Sequence, residues 1–174
     1  MPVHVGGIVY TKISASPLRN DMVFQHSSMG FDMKTLVDLE PTLVHLGSSA
    51  KNAANWIERL NHLSKAMLPT LPGQSRLFPK MQAKQLILVA AFVRSGARPS
   101  EADESAASFA KEAEQGVELP EFLLVQSGDF GSWSAMDSSE LEGFRKYFPT
   151  VPITIIPLRA IARLVDDVYA SESR

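Results

Sequence analysis

Between residues 48 and 68, Ala53, Trp56, Ile57, Leu60, Leu63 and Met67 recur at spacings of three and four, while Lys51, Asn52, Asn55, Arg59 and Lys65 take the other side. That period predicts an amphipathic helix of about five turns, opened by Ser48 or Ser49. Two other apolar stretches show no period: 85–93 (QLILVAAFV) and 122–126 (FLLVQ) are continuous. Runs this short read as strands covered on both faces, the first ending at Ser95-Gly96 and the second at Ser127-Gly128. Residues 151–156 (VPITII) give a third strand.

Helical signals alternate with these runs. Ser100, with Glu101, Asp103 and Glu104 behind it, opens a helix whose narrow stripe is Ala102, Ala106, Phe109, Ala110 and Ala113, stopped by Gly116. Asp137 and Glu140 form a D-x-x-E capping pattern before Leu141, Phe144 and Phe148. Pro157 sits where a first-turn proline belongs, ahead of Leu158, Ile161, Leu164, Val165 and Val168. Strands alternating with helices predict an α/β fold: a mainly parallel sheet of three or more strands with flanking helices in the C-terminal half.

The N-terminal part reads differently. Segments 7–13 (GIVYTKI) and 22–26 (MVFQH) flank turn chemistry in SASPLRND and predict a β-hairpin. Asp32 caps a short helix, MKTLVDL, which Pro41 ends or restarts as PTLVHL, with Gly47 as its stop. The alternative is an α+β arrangement in which the hairpin forms its own small sheet. Residues 69–80, with Pro69, Pro72, Gly73 and Pro79, connect a 1–68 part to an 81–174 part. Eighty residues make a thin independent core, so 1–174 reads as one domain.

Composition changes the picture in two places. There is no cysteine, which excludes disulfides, thiolate catalysis and Cys-ligated metal. Net charge is −2, yet residues 1–80 hold eight basic and five acidic side chains against nine and fourteen in 81–174. A nucleic-acid footprint is therefore local, with Arg59, Lys65, Arg76, Lys80 and Lys84 as candidate cations and Phe78 among them. No apolar run reaches the roughly 20 residues of a membrane-spanning helix, and the start lacks the pattern of a secretory signal. A soluble, cytoplasmic protein with no membrane contact is the expectation.

Candidate chemistry is sparse. No G-x-G-x-x-G, P-loop, H-E-x-x-H or G-x-S-x-G occurs, so no cofactor is expected, and Glu58 with His62 is a weak metal pair. In a parallel sheet, Ser95, Ser127 and Asp129 would gather beyond the strand ends, where Asp129 could hold a metal ion or act as a base. Phe130 and Trp133, in a loop of glycines and serines, are candidate partner-binding residues. The balance favours a non-catalytic interaction or assembly subunit, through a protein partner or self-association as an oligomer. The alternatives are a small metal-assisted phosphoester hydrolase using the strand-end loops and a weak nucleic-acid-binding module.

Overall fold

The computed structural model describes residues 33–66, 73–126 and 129–171, apart from the side chains of 126 and 129–132. The hairpin expected within residues 7–26 lies outside these residues. The first described element is β1 (Met33–Thr35), followed by α1 (Leu36–His45), α2 (Ala50–Arg59) and α3 (Asn61–Ala66). After the connection come β2 (Leu77–Pro79), α4 (Lys80–Arg94) and α5 (Pro99–Glu114). The chain continues through β3 (Phe122–Gln126), β4 (Asp129–Met136), α6 (Ser138–Tyr147), β5 (Ile153–Ile156) and α7 (Leu158–Ala170).

The parallel α/β architecture is corrected. Among the described residues there are seven helices and two small antiparallel sheets, β1-β2 and β4-β3-β5. The decisive misreading is 85–93, which belongs to α4 and not to a strand. Lys80-Met81-Gln82-Ala83-Lys84 are strong helix formers, and with Arg94 they extend the nine-residue apolar run to a helix of 15 residues. Every residue from Gln82 to Phe92 is buried. A helix apolar all round is a helix enclosed on all sides, and α4 touches α1, α2, α3, α5, α7 and the β1-β2 ribbon. Its polar residues find partners in that shell: Gln85 Nε2 donates to Asp103 Oδ1 at 3.3 Å, and the Lys84 ammonium lies 2.9 Å from Asp166 Oδ1 on α7.

The expected five-turn helix is broken at Leu60, whose ψ of 130° is extended, leaving α2 and α3. A distant carboxylate accounts for the break. The backbone N–H groups of His62 and Leu63 donate to Asp103 Oδ2 and Oδ1 at 2.7 and 2.9 Å, so a buried side chain of α5 caps α3. Near the start, Pro41 neither ends nor restarts a helix but sits inside α1, and the cap is Thr35, not Asp32. Thr35 and Asp38 close a reciprocal capping box, and the Thr35 N–H holds the Asp38 carboxyl below its ordinary pKa.

The Trp133 segment, expected as a loop, pairs along β3 as strand β4, with Val125 opposite Trp133. β5 flanks β3 on its other side, also antiparallel, with Leu123 opposite Ile156. Leu123, Val125 and Ile156 face the helical core. At the other end, the Tyr169 hydroxyl of α7 donates to the Phe78 carbonyl of β2, and the Lys34 ammonium stands 5.7 Å from the Tyr169 ring centroid.

Candidate nucleic-acid interface

Two helices are joined by a tight turn where the sequence places Leu-Gly-Ser-Ser between two apolar periods. At the end of α1, the Gly47 N–H donates to Val44 O at 2.9 Å and the Ser48 N–H donates to Leu43 O at 2.8 Å. These are the two bonds of a Schellman stop, with Gly47 at φ 73° supplying the left-handed residue. Ser49 then caps α2, its Oγ accepting from the Asn52 N–H at 3.2 Å. Four residues, 46–49, therefore separate the helices, the length of a helix-turn-helix connection.

The second helix divides cleanly. Ala53, Trp56 and Ile57 are buried against the core, and Leu60 continues their face. Lys51, Asn52, Ala54, Asn55, Glu58 and Arg59 are exposed. At 100° per residue, Lys51 is central on that outer face, with Asn55 and Glu58 on either side of it and Arg59, Ala54 and Asn52 toward the flanks. These side chains are suited to base edges and phosphates. Asparagine pairs bidentately with adenine, and lysine and arginine pair with guanine or phosphate. Glu58 is the one acid on the face.

The five cations expected to form a footprint are separated by the fold. Arg59 and Lys65 are exposed on α2 and α3, and Arg76 is half-buried. Lys80 and Lys84 are committed to Asp166, at 2.7 and 2.9 Å. Phe78 is fully buried, so it is not a stacking platform. The sequence reading named Lys51, Asn52 and Asn55 only as the polar side of a helix. The available signal was the Gly47 stop followed at once by a serine cap and a second amphipathic period.

The strand-end candidates fall elsewhere. Ser95 ends α4 and its Oγ donates to Ala91 O at 2.9 Å. Asp129 opens β4 opposite Gln126, and Ser127 lies outside the described residues. No parallel strand ends gather them. Glu58 and His62 lie on separate helices, and no cluster of three or more His, Asp or Glu able to hold a metal ion occurs among the described residues. Phe130 is in β4, its side chain outside the description, whereas Trp133 is 41% exposed and packs its ring 5.5 Å from that of Phe109. No described helix is long and apolar enough to cross a membrane.

No protein-family model matches the chain, and neither a curated protein nor a solved structure matches it. The functional reading therefore rests on this geometry alone.

Proposed function

We propose that the protein is a non-catalytic duplex-DNA-binding protein that inserts α2 into the major groove. The observation that carries this reading is the outer face of α2. It is a polar surface of Lys51, Asn52, Asn55 and Arg59 held rigidly by a buried inner face and preceded by a tight turn from α1. A major groove about 12 Å wide admits one α-helix, and in helix-turn-helix proteins the second helix enters it N-terminus first. Lys51 and Asn52 lie in the first turn of α2, where the helix dipole also favours phosphate. The basic excess of residues 1–80 is in keeping with a polyanionic partner.

Fluorescence anisotropy with a labelled random-sequence duplex tests this. Binding in the micromolar range at low salt is expected, weakening steeply between about 50 and about 200 mM salt. Asn55→Ala should leave the fold intact and reduce preference among duplexes selected from a random pool. No saturable binding at low salt, or binding indifferent to Lys51→Ala and Asn55→Ala together, would overturn the reading.

Self-association is a second reading with its own observation. Trp133, Tyr147, Phe148 and Val151 are exposed large apolar residues, Tyr147 at 75% and Phe148 at 53%. Phe148 and Val151, with Trp133, Phe144, Leu124 and Ile153, line a cleft of about 390 Å³ that has no charged residue. An uncharged apolar groove whose walls Trp133, Phe148 and Val151 are themselves exposed is a patch that an isologous contact would cover. The occupant proposed is a second copy of the chain. Light scattering should report a dimer, converted to monomer by Phe148→Glu. A wild-type monomer at high concentration would remove this reading without touching the first.

A further inference from the structure

A cleft of about 510 Å³ opens between the C-terminal ends of α1 and α4, strand β5 and helix α7. Its walls are Leu46, Ile155, Ile161 and Leu164, and its polar residues are Arg94, Ser95, Thr154 and His45. No carboxylate lines it, and Arg94 is its one permanent charge. A volume in the range of small-molecule sites, apolar walls and a single cation together define an amphiphile with one anionic head.

The local backbone sets Arg94 in place. Its Nη1 donates to the His45 carbonyl at 3.0 Å, and its side chain lies along Gly47, where an added β-carbon would stand 3.6 Å away. A guanidinium carries five N–H donors, so fixing it through one leaves a planar fork for an anionic oxygen pair. Thr154, half-buried on β5, offers a hydroxyl within the same lining. Anchoring against a backbone carbonyl lowers the entropy lost on binding, compared with a free surface arginine.

We propose that this cleft binds a small amphiphile, its apolar body between β5 and α7 and its anionic head on Arg94. The proposal is independent of the DNA-binding reading. Isothermal titration of the full chain with decanoate, decyl phosphate and decanol, each below its aggregation threshold, tests it. One or both anions should bind saturably at one site, about tenfold or more tighter than the alcohol. The preferred anion identifies the head group. Arg94→Gln should erase that preference while decanol binding persists. Ala160→Trp, at an exposed position on the rim, should abolish binding of all three, and Leu164→Trp serves if that variant melts early. Absence of saturable binding, equal affinity for decanol, or indifference to both the Arg94 and the rim variants would overturn the proposal.

Discussion

Helices α2 and α4 lie in contact, yet their surfaces are opposites. α4 is buried over its whole circumference from Gln82 to Phe92, whereas α2 buries one face and presents another made of Lys51, Asn52, Asn55 and Arg59. The buried helix carries the fold and, but for the Arg94 end, leaves nothing over for a partner. The half-buried helix contributes less to the core but holds its outer side chains in one orientation at little entropic cost on binding. In this protein stability and recognition are separable by helix, and substitutions should separate them.

The largest expected effect comes from one substitution made twice. Ala90 in α4 is 1% exposed and Ala54 in α2 is exposed, both inside helices. Aspartate costs about 0.7 kcal/mol of helix propensity at either site. At Ala90 it also buries a carboxylate among apolar neighbours, so Ala90→Asp should cost more than about 4 kcal/mol or prevent folding. Ala54→Asp should melt within a few degrees of wild type. Urea titrations giving similar midpoints for the two would show that α4 is not enclosed.

Next in size is the junction between the helices. Asp103 accepts from His62 N–H, Leu63 N–H and Gln85 Nε2, joining α3, α4 and α5 in one buried network. Asp103→Ala leaves these donors without their acceptor and should cost about 3 kcal/mol in chemical unfolding. A loss under about 1 kcal/mol would mean that α3 supplies its own cap. Asp103→Asn, which keeps one carbonyl oxygen, should fall between the two.

How far this was legible in the sequence follows from the same contrast. The period of Ala53, Trp56 and Ile57 predicts α2 because an amphipathic helix writes its burial into its spacing. The stops at Gly47 and Gly116 and the helices after Asp137 and Pro157 are legible for similar reasons of capping chemistry, whereas the helix expected to open at Ser100 begins at Pro99 with Arg98 as its cap. α4 erases its own signal: enclosed on all sides, it shows no period, and a nine-residue apolar run cannot be told from a covered strand. Reading that helix as a strand placed Ser95 at a strand end that does not exist, and reading β4 as a loop turned the antiparallel β3 and β5 into an expected parallel pair. The break at Leu60 was invisible because its cause, Asp103, lies about 40 residues away.

A smaller effect tests the rim of α4 by pH. Burial pushes the Asp166 carboxyl up, but hydrogen bonds from Lys80 and Lys84 and their charges outweigh it, leaving its pKa below the ordinary carboxylate value. A depressed folded-state pKa stabilises the protein above the unfolded value near about 4, and that contribution is lost as pH falls through the folded value. The side chain is 37% exposed, so solvent screening holds the effect to about 1 kcal/mol or less. Asp166→Asn should therefore be less stable than wild type at neutral pH, with the gap closing as pH falls below the ordinary carboxylate range. A gap independent of pH would assign the loss to packing and not to charge.

The smallest expected change in stability is at Lys51, and it bears hardest on function. Lys51 is exposed in the first turn of α2, so Lys51→Ala should shift unfolding by no more than about 0.5 kcal/mol. If α2 lies in a major groove, each lysine on a phosphate accounts for about one unit of the slope of log affinity against log salt. The variant should bind all duplexes more weakly, with that slope reduced by about one, whereas Asn55→Ala should keep the slope and change which duplexes are preferred. The alanine variant of a solvated lysine far from DNA would change neither. Identical slopes for wild type and Lys51→Ala, in proteins of equal stability, would move the nucleic-acid surface off this helix face and leave the contrast with α4 as one of packing alone.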